Sequence, residues 1–461
     1  MGINKKLVFS LLFVGFFVIL SSNNASADDG RYFVKSTKSF WRNALGVRNQ
    51  FENGFTTDLS DFQVGFDRLL GLEVEPVKVL QILPDDSVLN DQTITSTPTL
   101  TPTPTVTPDS KDKTKKDNSS SNDNVDTNVD TKTDVKAKIS RLLLRPAPSD
   151  QTPWGIETIY NLSLITKTIG GAGAKVVILD TGALITHPDL KRRIIQCKDF
   201  TNLRYPVIDG KCDDKNGHGT HVAGIVAADG GADGRGIYGV APAASLMIYK
   251  VCGSNGSCYA DDIATGIRMA ADQGANIMNM SFGSDTEIPL INDAINYAVS
   301  KNVLPVAAAG NDGPFDNSID YPAAYSSVVG VGAISQSRQV TSWSSRGNNS
   351  LSTPYIVENG DIEFATPGEN IESTYNNGGY AVLSGTSMAS PFFAGLAAKF
   401  WQSTVINPAQ ATRDFLHGLA SDLLPTGDDN ASGFGLPQVP TSPLPSLTPT
   451  PSPTPTPTAT P

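Results

Sequence analysis

Near the end of its apolar region the chain reads Gly385-Thr386-Ser387-Met388-Ala389-Ser390-Pro391. The small-residue turn Ser384-Gly385-Thr386 delivers Ser387 to the first turn of an apolar helix running toward Phe400-Trp401. A serine there stands over the positive end of the helix dipole, beside backbone N–H groups that have no intrahelical acceptor. Such groups can receive an oxyanion, which suits a nucleophile, although a plain helix cap explains the heptapeptide equally well. Three other residues tip the balance toward chemistry. Asp180 begins Asp180-Thr181-Gly182 at the end of an apolar run, where an acid otherwise serves as a turn former. His218 sits between glycines in Asn216-Gly217-His218-Gly219-Thr220-His221, which leaves room for a reacting partner. A metal pair with His221 does not follow, because the zinc-protease pattern sets its histidines four apart with a glutamate between them. His221 is expected to point into the helix body. Asn311, in Gly310-Asn311-Asp312-Gly313, offers an amide donor that does not titrate, or else a simple Asn turn. In chain order, Asp180 can orient His218, His218 can take the proton of Ser387, and Asn311 with the Ser387 N–H can hold an oxyanion.

Elements of matching period must position these groups. Strand-like runs at 175–179, 244–251, 275–280 and 303–309 alternate with helical patterns at 220–228, 261–273 and 292–301. Apolar strands alternating with helices predict a mainly parallel sheet covered on both faces, with sites at the C-terminal strand ends. This α/β region is expected to span 140–439. The flanking segments 93–139 and 440–461 are Thr/Pro-rich or charged and polar, and cannot bury enough apolar surface to offset the entropy of ordering. Ahead of them, residues 28–92 predict a small α+β unit of ferredoxin-like type. Its expected elements are strands at 31–35, 47–55 and 72–83, and a helix capped by Ser60-Asp61 and stopped at Gly71.

Lys5-Lys6, the apolar run 7–20 and Ala25-Ser26-Ala27 have the order of a secretory signal peptide, assigned to 1–27. The run is short for a membrane span and no other segment is long enough, so a secreted or cell-surface protein is expected. Export makes disulfides plausible, and proximity favours Cys197–Cys212 and Cys252–Cys258 over the other pairings. A net charge of −11 argues against nucleic acid or an acidic membrane as partner.

Asp180-Thr181-Gly182, His218-Gly219-Thr220-His221, Ala309-Gly310-Asn311 and Gly385-Thr386-Ser387-Met388-Ala389 resemble the four signature blocks of the subtilisin-like serine proteases (subtilases, peptidase family S8). The order Asp, His, Ser is also that family's. The resemblance runs from about 151 to 439, and 28–92 resembles the family's inhibitory pro-domain in Phe51-Glu52-Asn53-Gly54-Phe55 and Val74-Glu75-Pro76-Val77. It implies a three-layer subtilisin-like fold and a secreted, monomeric endopeptidase made as a self-processing zymogen. Its own pro-domain would be an intramolecular inhibitor and its substrates proteins or peptides. The catalytic set implied is Ser387 as nucleophile, His218 as base and acid, Asp180 as orienter and Asn311 as oxyanion donor. Gly256, Ser257 and Cys258 with Ser281, Phe282 and Gly283 would bind a peptide as an added strand. Ala308 and Gly310 would wall the primary pocket, with Asp320 at its floor and Asp312 near its rim, so Lys or Arg would be favoured. A structural Ca²⁺ would be held by Asp189 and Asp233, with Asp150 as a further candidate. Two other readings compete: a catalytically silent surface scaffold or adhesion protein, and an α/β-hydrolase drawing on His417 with Asp414 or Asp422.

Overall fold

The apolar runs of the central region do assemble into one sheet. The computed structural model describes residues 30–82, 144–349, 356–423 and 425–441. The segments expected to be signal peptide (1–27) and linker (93–139), and most of the 440–461 tail, lie outside the described residues. Eight strands pair in the order β14-β13-β12-β10-β5-β8-β6-β7. They are β5 (Lys175–Asp180), β6 (Ile194–Asp199), β7 (Ile208–Asp209), β8 (Ser245–Lys250), β10 (Ile277–Met280), β12 (Leu304–Ala308), β13 (Val329–Ile334) and β14 (Phe364–Pro367). All neighbours are parallel except β7, which runs against β6.

Because successive strand residues face opposite ways, a strand buried on both sides feeds two cores. Val176 and Ile178 join one cluster with helices α4 (His218–Ala227) and α7 (Thr386–Lys399). Val177 and Leu179 join another with α5 (Ala260–Asp272) and α6 (Pro289–Ser300). This is the expected three-layer α/β fold. Both predicted disulfides are present, Cys197–Cys212 and Cys252–Cys258.

The N-terminal unit differs from expectation in two places. Its sheet holds β1 (Gly30–Val34), β2 (Phe55–Leu59) and β3 (Val74–Pro76) in the order β2-β1-β3, with α1 (Ser39–Leu45) and α2 (Asp61–Leu69). The Ser60 cap is a full capping box with Gln63. The strand predicted at 47–55 instead starts at Phe55, because Arg48 and Asn49 turn into the larger α/β region. There Arg48 donates to Asp262 (3.1 Å) and Asn49 to Asp261 (2.9 Å), while Arg31 from β1 bonds both acids at 2.8 Å. Asp261 and Asp262 occupy the first turn of α5, where the helix dipole also favours negative charge. The strand predicted at 72–83 is two strands. After β3 the chain leaves its own sheet, and β4 (Val79–Ile82) pairs antiparallel with β9 (Ser257–Tyr259) and β11 (Phe282–Gly283).

Helix α8 (Pro408–His417) is tied to the sheet by a buried charge group. Arg413 Nε and Nη2 donate to the two Glu363 oxygens at 2.7 and 2.6 Å, and His417 Nε2 lies 2.7 Å from Oε1. Burial alone would push the Glu363 carboxyl up, but Arg413 and His417 outweigh it and hold it below the usual range. His417 stacks on Phe434 with ring centroids 4.1 Å apart, so the histidine that a hydrolase reading needs is committed to packing. Removing one partner of such a group strands the other. Arg413→Met is expected to lower unfolding free energy by about 3–5 kcal/mol, read from urea denaturation midpoints.

Candidate active site

Asp180 ends β5 and is fully buried. His218 opens α4, and its Nδ1 donates to Asp180 Oδ1 at 2.9 Å and Oδ2 at 3.0 Å. With its proton on Nδ1, a neutral imidazole carries its lone pair on Nε2. The room left by Gly219 is taken by this pair. A Cβ there would lie 3.0 Å from Asp180 Oδ1 and would collide with the Gly182 carbonyl. His221 is different in kind. It is fully buried, its Nε2 donates to Ile371 O at 3.0 Å, and burial, then His218, pushes it down to about 3. It therefore stays neutral and pins α4 to the hairpin of β15 (Ile371–Thr374) and β16 (Tyr380–Leu383).

Two supporting residues escape a reading by motif. Asp214 Oδ1 accepts from Thr181 Oγ1 (2.9 Å), Asn216 N (3.0 Å) and Gly217 N (2.8 Å), and its Oδ2 accepts from Thr220 N and Oγ1 (2.9 and 2.6 Å). One carboxylate thus caps the helix that carries His218 and ties it to the residue after Asp180. An acid shortly before a predicted helix start was the available signal. Lys250 Nζ donates to Thr181 O (2.6 Å) and Cys252 O (2.9 Å) from a buried position. Burial lowers its pKa against the pull of Asp214, Asp199 and Asp180.

Ser387 lies in the first turn of α7, behind Gly385 at φ 149. Proline at 391 explains its surroundings. Having no N–H, Pro391 cannot bond the carbonyl four residues back, which is that of Ser387. Ser281 Oγ takes that carbonyl at 3.0 Å, and Ser387 Oγ in return donates to Ser281 O at 3.1 Å. Behind them runs a one-way chain: Ser390 Oγ donates to Asn279 Oδ1 (2.7 Å), and Asn279 Nδ2 to Ser281 Oγ (2.9 Å).

Asn311 follows β12, and its Oδ1 accepts from Thr386 N and Oγ1, each at 3.0 Å. That leaves Nδ2 as the outward donor, 3.4 Å from the position a Cβ on Gly385 would take. Strands β12, β10 and β5 are adjacent in the sheet. Asn311, Ser281 and Asp180 therefore gather along one C-terminal edge, and Ser387 sits on Ser281. Strand neighbours lie about 4.8 Å apart, within reach of side-chain chemistry.

The predicted binding segments flank this edge. β9 carries Ser257 and Cys258, and β11 is Phe282 and Gly283; between them lies β4. Ile82 N donates to Gly256 O at 2.9 Å, Leu80 faces Cys258, and Ile82 faces Phe282. The Cys252–Cys258 disulfide anchors β9. Ala308 closes β12, and Asp320 N donates to Ala309 O at 2.8 Å.

The calcium candidates are only partly brought together. Asp189 Oδ2 accepts from Ile237 N (2.9 Å) and Tyr380 OH (2.8 Å). Asp189 Oδ1 and Asp233 Oδ1 both approach Gly231, at 2.9 and 3.3 Å from where its Cβ would be. Asp150 does not join them; it is exposed, and its Oδ1 accepts from Thr152 N at 3.1 Å. Its neighbour Gln151 reaches the loop instead, bonding Gly234 O and, at 3.3 Å, Gly236 O. Two carboxylates and loop carbonyls, two of which accept from the Gln151 amide nitrogen, are oxygen donors, which fits a hard cation such as Ca²⁺.

A family model described as the subtilase family, Peptidase S8, matches residues 171–435. A protein named subtilisin from Bacillus sp. (strain TA39) is 47% identical over 310 residues, covering 64% of this chain and 73% of that protein. The major intracellular serine protease of Bacillus subtilis (strain 168) is 41% identical over 256 residues, covering 54% of this chain and 75% of its own. Among solved structures, the S41 psychrophilic protease superposes with TM-score 0.61 at 47% identity, over 64% of this chain and 100% of that one. The sheet order, the strand-edge constellation and these matches agree: the chain belongs to the subtilase family and is a serine endopeptidase.

Proposed function

We propose that the chain is a secreted endopeptidase, made as a self-processing zymogen, with Asp180, His218 and Ser387 as its triad. The observation that carries this reading is the Asp180–His218 bond on the strand edge where Ser387 rests on Ser281. Ser387 Oγ attacks the scissile carbonyl carbon while His218 Nε2 takes the hydroxyl proton. The new O–C bond stands as the C–N bond breaks, and His218 returns the proton to the departing amine. Water, deprotonated by His218, then attacks the acyl carbon, and as the bond to Ser387 Oγ breaks His218 returns the proton to that oxygen, releasing the acid. Asn311 Nδ2 and the Ser387 N–H hold the oxyanion in both halves, already oriented before charge develops.

Strands β9 and β11 take the substrate as an added antiparallel strand through main-chain bonds, as β4 is held. That placement supports residues 28–92 as an intramolecular inhibitor, docked besides through Arg31 and Arg48 on Asp261 and Asp262. Export would follow from 1–27. Among the described residues no helix is long and apolar enough to cross a membrane. Lys138, Arg141 and the residues just after Leu83 are the admissible sites for maturation cleavage, and all lie outside the described residues. Arg145 bonds Tyr380 through both N–H (2.9 Å) and C=O (2.8 Å) and precedes Pro146, which makes it the weaker candidate. Asp189 and Asp233, with carbonyls of the 229–236 loop, would hold a Ca²⁺ that stiffens that loop and takes no part in the reaction.

A serine-directed fluorophosphonate is expected to label the purified protein, with Ser387→Ala abolishing both labelling and self-processing. Processing that survives in Ser387→Ala, supplied with no other protease, sinks the assignment. Asn311→Leu should lower kcat by about 100- to 1,000-fold with little change in KM, the magnitude found for one such donor in a subtilisin and adopted from it. Chelation should lower the Tm, and Asp189→Asn should remove the calcium dependence of Tm, since a ligand stabilises only the fold that binds it.

A further inference from the structure

We infer that Asp320, Asp312 and Asp285 form a cation-selective floor of the substrate pocket and choose a lysine or arginine immediately before the cleaved bond. The inference rests on the endopeptidase reading above and names the substrate class of that site. One oxygen from each of the three carboxylates lies within 4.8 Å of the other two. Asp320 is only 3% exposed, whereas Asp285 and Asp312 stand at the surface. Among the described residues no donor bonds the Asp320 carboxylate, and no Lys or Arg pairs with any of the three. A buried carboxylate without a partner is costly, so the site is built for a cation that arrives from outside.

The position of the cluster points to the peptide as its source. Asp320 lies between two backbone walls that have no side chains of their own. A Cβ on Gly283 would collide with Asp320 Oδ2, and one on Gly310 would lie 2.9 Å from it. Gly283 belongs to β11, along which an added strand runs, and Gly310 precedes Asn311. Following β4 past Ile82, which faces Phe282, the next strand position falls opposite Ser281, on which Ser387 rests. A side chain entering there passes between glycine backbones toward Asp320. The long apolar stem of Lys or Arg fits such a slot while its charged end meets the carboxylates.

Burial, then Asp312 and Asp285, push Asp320 up to about 7. Its charge is therefore present above that pH and lost below it, and the preference for a cation must follow the same sign. The test uses mature enzyme and peptide p-nitroanilides that differ only in the last residue: Lys, norleucine or Leu. The ratio of kcat/KM for Lys over norleucine is expected at about 10-fold or more near pH 8.5, falling toward unity below about pH 6. A ratio on one enzyme cancels whatever pH dependence the two substrates share. Asp320→Asn should bring the Lys-over-norleucine ratio to within about 3-fold of unity, read as a ratio on the substituted enzyme. Asp312→Asn and Asp285→Asn, at the rim, should each lower it part of the way. Equal Lys and norleucine rates in the unsubstituted enzyme overturn the inference, as does an Asp320→Asn that depresses Lys and Leu peptides alike. Calcium or terbium that suppresses the Lys rate only while Asp320 is present would make this a metal site and overturn it too. Failure of the underlying reading looks different: no peptide is cut, or Ser387→Ala still cuts them.

Discussion

A buried carboxylate organises the neighbourhood of the site. Asp180 has no exposure, and a charge so placed must be met by donors or it destabilises the fold. Thr181 N–H at 2.7 Å and His218 Nδ1 at 2.9 Å meet it. Each donor is fixed in turn, His218 by the helix that Asp214 caps and Thr181 by Asp214 and Lys250. The web closes only when β5, α4 and β8 are all in place, so the orientation of the imidazole is a property of the packed sheet. On the reading proposed above, catalysis depends on that closure more than on any one bond.

The same economy of backbone groups governs the serine side. A proline in the second turn of α7 removes one helical bond and frees the Ser387 carbonyl for Ser281. The cost in helix regularity is offset by a link between helix and strand edge, reinforced through Asn279 and Ser390. Thr386 performs a matching task for Asn311, holding its amide oxygen so that the amide nitrogen faces outward. Both links join sequence-distant elements through small polar side chains that local propensity does not single out.

The acids outside the triad sort by their partners. Asp261 and Asp262 are met by arginines of the N-terminal unit, Glu363 by Arg413 and His417, and Asp189 by Tyr380 and a backbone N–H. Asp320 is met by none of these, although it is as deeply buried. That contrast, rather than the count of acids in the chain, sets its cluster apart.

Much of the fold and of the candidate site was legible in the chain itself. Continuous apolar runs of strand length between helical patterns determined a parallel sheet, because period and burial are local consequences of composition. Four short blocks placed Asp180, His218, Asn311 and Ser387 at strand ends and helix starts, since turns and caps are written in adjacent residues. Other features depended on residues far apart in sequence. The segment 47–55 was expected to be a strand ending at Asn53-Gly54, yet Arg48 and Asn49 bond Asp262 and Asp261 of a distant helix instead. The run 72–83 was split by competition between two sheets, and it is Gln151 that bonds the 229–236 loop, while the Asp150 carboxylate bonds Thr152 N. Local periodicity specifies which elements form. Only the packed structure decides which polar groups meet, because a buried donor or acceptor takes whatever partner the tertiary fold brings within about 3 Å.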